Sequence, residues 1–183
     1  MKKLFLSLVA LSLFAVGCSE DSATDFNGPA TDETSEDFNP LAARGSVWDG
    51  EIGIEEDGVY KITADEAALK ADFTATLKRE GNDTTIETLT IIELESSNTP
   101  GDKGIMLVGS DGKRTSIGVW LNKKPTQSGS QQLTLDMDFS KSTSCTGCAQ
   151  GCNLDYLNID GRKVAYCNEN GCDYDCTKGE SSM

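Results

Sequence analysis

Six cysteines crowd the C-terminal end of this chain, at positions 145, 148, 152, 167, 172 and 176. Cysteines this close together can pair as disulfides, hold zinc or another thiophilic metal, or carry an iron–sulfur cluster. They can also exchange electrons, for which Cys145-Thr146-Gly147-Cys148 has the C-x-x-C spacing. The redox compartment decides between these chemistries, because disulfides persist only in oxidising surroundings. Composition removes several others. The 183-residue chain contains no His, so Ser-His-Asp and Cys-His catalysis, His-ligated haem and His-containing zinc sites are all excluded. There is no G-x-S-x-G elbow, and Gly112-Lys113 lacks the earlier glycine of a phosphate loop. Carboxylates are too numerous for any pair to be singled out as an acid/base couple, so no catalytic residue is named.

The N-terminus supplies the compartment. Lys2 and Lys3 precede an apolar run from Leu4 to Val16, which as a helix spans about 20 Å against a hydrocarbon core of about 30 Å. A cleaved signal peptide is therefore expected over residues 1–17. Its end, Ala15-Val16-Gly17-Cys18, resembles the lipobox of bacterial lipoproteins, with Ala in place of the commoner Leu at the −3 position. The resemblance implies that Cys18 is acylated and becomes the mature N-terminus, a lipid anchor to the membrane. Ser19-Glu20-Asp21 is similar to the acidic export signals that carry lipoproteins of some Gram-negative bacteria to the outer face of the outer membrane. Asp21-Ser22-Ala23 and Asp83-Thr84-Thr85 resemble an O-glycosylation pattern of the same bacteria, with Ser22 and Thr84 as acceptors. The expected location is the cell envelope, lipid-anchored in the outer membrane and facing outward.

Export settles how the tail is read. Seven cysteines less the acylated Cys18 leave six, an even number, and three disulfides of open connectivity are expected. Iron–sulfur clusters are built before export, and the twin-Arg signal of the folded-protein route is missing. The C-x2-C and C-x4-C steps match a zinc ribbon only loosely, and no βαβ unit surrounds the C-x-x-C. Asn158-x-Asp160-Gly161 echoes a calcium loop, but Tyr156 and Cys167 stand where its first Asp and last Glu belong. Hence no metal and no cofactor are expected. The hairpin formed around Asp160-Gly161 sets Leu157 opposite Val164 and Leu154 opposite Cys167, which leaves Cys152 two residues from facing Cys167.

These residues need elements to hold them. Residues 18–45 carry seven acids against Arg44 alone and read as a disordered acidic tether with an average reach of about 30 Å. Residues 46–140 alternate with period two between turn signals, as at Ile52 and Ile54, Asp57-Gly58, and Val59 to Ile62. Phe73, Ala75 and Leu77 alternate next, then Ile86 to Leu94, where Ile91-Ile92 implies a bulge or a strand covered on both faces. Ile105 to Val108 and Ile117 to Leu121 flank Asp111-Gly112, and Gln131 to Phe139 places Leu133, Leu135, Met137 and Phe139 on one face. A short helix is expected at Ala67 to Lys70 behind a Thr63/Glu66 capping box. The fold class is mainly β: an antiparallel β-sandwich or small barrel, followed by a disulfide-rich C-terminal module over 141–183.

The net charge of −14 becomes about −16 once the signal peptide is lost, a surface that repels nucleic acid and anionic headgroups. The expected role is non-enzymatic, binding or structural at the envelope, with a protein, glycan or small molecule as partner. A lipocalin-like carrier with Trp48 and Trp120 lining its pocket is one alternative. A thiol- or metal-active envelope protein and an acid-dependent hydrolase are the others.

Overall fold

The computed structural model describes residues 47–127, 129–147, 152–169, 172 and 176–183. Strand β1 (Glu51–Glu56) turns through Asp57 and Gly58 into β2 (Val59–Ile62). Both turn residues have positive φ, 53° and 77°, as a two-residue hairpin requires. Helix α1 (Glu66–Arg79) follows, then β3 (Thr88–Glu95), β4 (Lys103–Ser110), β5 (Thr115–Pro125) and β6 (Gln131–Leu135). A 3-10 turn (Met137–Phe139) leads to β7 (Lys141–Thr146), β8 (Asn153–Ile159), β9 (Arg162–Asn168) and β10 (Thr177–Ser182). The protein is mainly β, and every pairing among the described strands is antiparallel.

One sheet runs β10-β7-β5-β6-β1-β2, with β4 on the other side of β5 and β3 beyond it. Strand β5 is long enough to serve two neighbours on one edge. Its start pairs with β7 (Thr115↔Thr146 to Gly118↔Thr143) and its end with β6 (Leu121↔Leu135 to Pro125↔Gln131). The residues after 140 thus add β7 and β10 to the same sheet as β1–β6, and the boundary expected at 140/141 falls between strands of one sheet. Tyr60 of β2 donates from its hydroxyl to Glu93 Oε2 of β3 at 3.2 Å, linking the two ends of the order through side chains.

Strands β4 and β5 are apolar on both faces. Ile105 and Leu107, with Ile117, Val119 and Leu121, point to a core shared with Ile52, Ile91, Leu133, Leu135 and three side chains of α1. Met106 and Trp120 point the other way, onto Tyr156 and Ala165 of the β8–β9 hairpin. The adjacent Ile91 and Ile92 have the same cause. Their strand pairs without interruption from Thr88↔Ser110 to Glu95↔Lys103, so there is no bulge, and each isoleucine packs into a different cluster.

Two expectations are corrected here. The run through Phe73, Ala75 and Leu77 is helix, not strand. Leu69, Phe73 and Leu77 recur every four residues and are all fully buried, a stripe that only a helix can aim at one core. The helix is capped by Asp65, whose Oδ1 accepts from Ala67 N at 2.9 Å and Ala68 N at 3.1 Å. Thr63 is spent elsewhere, its hydroxyl donating to Glu51 Oε1 at 2.7 Å. Second, the strand from Gln131 stops at Leu135 and does not reach Phe139. Asp136 accepts from Asp138 N and starts the 3-10 turn, which leaves Met137 73% exposed.

Asp65→Ala is expected to cost about 1 kcal/mol in urea denaturation, the usual price of an N-cap. Thr63→Ala, at an exposed hydrogen bond, should cost clearly less. Equal losses would return the cap to Thr63.

Candidate functional site

The second face of the sheet carries both the cysteine staples and a hollow of about 600 Å³. The hairpin β8–β9 lies across it in the expected register, with Leu157 opposite Val164 and Leu154 opposite Cys167. Its turn places Asp160 and Gly161 at φ 52° and 80°. Cys145 of β7 is bonded to Cys167 of β9, and Cys152 to Cys176, with Cα–Cα distances of 5.6 and 5.7 Å. Cys172 is disulfide-bonded as well. Cys148 and the anchor position Cys18 lie outside the described residues, as does Ser22. The bonded sulfurs have no thiolate left to offer a metal.

At its other end the hairpin is held by polar contacts from the β3–β4 loop. Ser97 N donates to Tyr156 O at 3.0 Å, and Asn158 N to Asn98 Oδ1 at 2.8 Å. Asn158 Nδ2 donates to Asp102 Oδ2 at 2.8 Å, and the Tyr156 hydroxyl to Asp102 O at 2.7 Å. Ser97 Oγ also donates to Asp155 Oδ2 at 3.0 Å and lies 2.9 Å from Tyr166 Oη. A serine beside a carboxylate invites a catalytic reading. Its hydroxyl, shared with Asp155 and Tyr166, locks loop to hairpin.

The hollow lies between β7, β9 and the 3-10 turn, beside Trp120. It measures about 600 Å³, within the range of small-molecule sites, and is bordered by Phe139, Lys141, Thr143, Arg162, Lys163 and Val164 among others. Trp120 is 3% exposed and is fixed from three sides. Its ring meets Tyr156 edge-on at 5.0 Å, and Lys163 Nζ stands 5.3 Å over it. Gly104 on β4 makes room for it, since a Cβ there would sit 2.5 Å from Trp120 Cζ3. Burial, and after it the negative Asp102, pushes the Tyr156 phenol up to about 12. At the rim, Glu180 lies 2.6 Å from Lys178 and 3.6 Å from Lys141. The Lys178 contact, against the opposing effect of burial, holds Glu180 below the usual carboxylate range.

No family model, no curated protein and no solved structure matches this chain.

The structure separates the two tryptophans. Trp120 borders the hollow, whereas Trp48 belongs to the first-face core, 5.2 Å from the Phe73 ring, with Nε1 donating to Asp72 Oδ2 at 2.9 Å. Thr84 is half-buried, and its hydroxyl donates to Asp111 Oδ2 at 2.9 Å. Asp111 also accepts through Oδ1 from the backbone of Lys113, Arg114 and Thr115, building the β4–β5 loop. Burial opposes its ionisation, but these donors outweigh it and hold its pKa below the ordinary value. Among the described residues no three of His, Cys, Asp and Glu are grouped to hold a metal ion. Sequence reasoning missed the cations of the hollow, Lys141, Arg162 and Lys163. Their signal was present in Arg162-Lys163, a basic pair beside a hairpin turn in a strongly acidic chain.

Two measurements follow. Peptide mapping without reductant should recover Cys145–Cys167 and Cys152–Cys176, and removing the first pair by Cys145→Ala with Cys167→Ala should cost about 2–5 kcal/mol. A Cys145–Cys152 or Cys167–Cys176 peptide would contradict the fold. In alkaline titration, one tyrosine should ionise near 12, against an ordinary value of about 10. A phenol raised on folding contributes stability that is whole below about pH 10 and lost as pH climbs through its folded value. Tyr156→Phe should remove that late step.

Proposed function

We propose that this chain is a lipid-anchored envelope protein that holds a β domain outside the membrane on an acidic tether and binds a ligand there without turning it over. The anchor reading rests on Cys18 and the signal-like segment before it, and the outward orientation on Ser19-Glu20-Asp21. Among the described residues no helix is long and apolar enough to cross a membrane. One observation carries the binding role: the hollow beside Trp120, where three elements converge on a concave surface that the hairpin could have sealed and did not. Its lining is mostly apolar with several charged side chains among it, and Trp120 beside it is held by Tyr156 and Gly104. A concave, mostly apolar surface with a few placed polar groups suits recognition.

The anchor is tested by feeding cells a palmitate analogue. The wild-type protein should take up label and Cys18→Ala should not, and protease added to intact cells should degrade the wild-type protein. Absence of label from the wild type would sink the lipoprotein reading, and full protease protection would turn the domain inward.

A further inference from the structure

The hollow beside Trp120 reverses the sign of the chain. Thirty acids face 16 bases overall, yet here Lys141, Arg162 and Lys163 gather with only Asp138 and Glu180 as acids. Glu180 is already shared by Lys178 and Lys141. Asp138 on the 3-10 turn and Asp160, which lines the adjoining hollow with Arg162, are the other acids of the double hollow. Arg162 makes no ion pair or side-chain hydrogen bond to any described residue, so its guanidinium fork is open. A second hollow of about 430 Å³, lined by Ile159, Asp160, Arg162 and Val164, shares Arg162 and Val164 with the first. Arg162 thus borders both concavities. Beside it are exposed apolar surface, Val164 at 38% and Ile159 at 47%, and the hydroxyl residues Ser140 and Thr143.

We propose that this double hollow binds an acidic glycan through a carboxylate-bearing pyranose, with the carboxylate on Arg162. A free guanidinium fork matches a planar carboxylate in bidentate geometry. Val164 and Phe139 offer an apolar bed for the C–H face of a sugar ring, and Ser140 and Thr143 offer partners for its hydroxyls. The second hollow gives a continuing chain somewhere to lie. A nucleic-acid duplex, with a charge every ~1.7 Å along its length, extends far into the surrounding negative field, whereas a short uronic-acid oligosaccharide keeps its few charges within reach of the local cations. The inference rests on the binding role proposed above and narrows it to one ligand chemistry.

Calorimetry of the full lipoprotein in detergent, with trigalacturonic acid as probe, tests it. The acid should bind, and its methyl ester should bind at least about tenfold more weakly. Arg162→Gln should lose a similar factor, Arg162→Lys less. Lys61→Gln, an exposed cation paired to Glu56 on another strand, should change nothing. Because Arg162 is exposed and unpaired among the described residues, its variants should melt with the wild type. Acid and ester binding alike, a sulfated disaccharide binding more tightly than the carboxylate, or Arg162→Gln binding normally would each overturn the acidic-glycan inference. Neutral sugars that perturb Trp120 fluorescence would do the same while leaving the binding role standing. If no acidic, sulfated or neutral sugar bound, the acidic-glycan inference would fall.

Discussion

The fold depends on a pair of strands that are apolar on both faces. Strands β4 and β5 present Ile105, Leu107, Ile117 and Val119 to one side and Met106 and Trp120 to the other. Such a pair cannot face water on either side, so it needs two covers. Helix α1 supplies the first through Leu69, Phe73 and Leu77. The second, the β8–β9 hairpin, brings only Leu154, Tyr156 and Ala165 as buried apolar groups. Two strands with so little to bury are marginal by themselves in water. Disulfides at one end and the loop carrying Ser97, Asn98 and Asp102 at the other provide what the hydrophobic contact does not.

The site is a by-product of that arrangement. A hairpin fixed at its ends need not fit the sheet everywhere, and beside Trp120 it leaves a gap. Cys145–Cys167 joins β7 to β9, the strands that carry Lys141 on one wall and Arg162 and Lys163 on the other. The covalent staple therefore also ties together the two strands that border the cationic hollow. A different network links the ends of the sheet order. Glu55 pairs with Lys123 at 2.6 Å, Lys123 lies 5.4 Å from the Tyr60 ring centroid, and Tyr60 reaches Glu93. Burial disfavours the Lys123 ammonium, yet Glu55 and Tyr60 outweigh it and keep its pKa above the ordinary value.

Hairpins were legible in the sequence because their information is local. Asp-Gly can take two positive φ angles, and alternation on either side sets the register, as the pairing of Leu157 with Val164 shows. The helix was half legible. Thr63/Glu66 and Asp65 are rival caps two residues apart, and Phe73-x-Ala75-x-Leu77 satisfies period two as readily as Leu69, Phe73 and Leu77 satisfy period four. Only the core on one side of α1 decides between them. Strand β10 (Thr177–Ser182) carries no apolar pattern. It is a strand because β7 offers it a hydrogen-bonding edge and because Glu80, at the end of α1, accepts from Ser144 and Ser181 across the pair. The hollow was illegible for a related reason. Lys141 and Arg162 are 21 positions apart in the sequence, and the disulfide that brings their strands together could not be chosen from spacing alone.

The two staples overlap along the chain, one running from 145 to 167 and the other from 152 to 176. Every peptide bond between 152 and 167 therefore lies inside both covalent loops. A protease that cut the exposed turn at Asp160-Gly161 would divide the backbone, but the two pieces would remain joined by both bridges, with Arg162 still tied to the strand that carries Lys141. Stapling thus gives the hairpin tip, exposed at Asp160 and Gly161, a tolerance to nicking that hydrogen bonds alone could not supply.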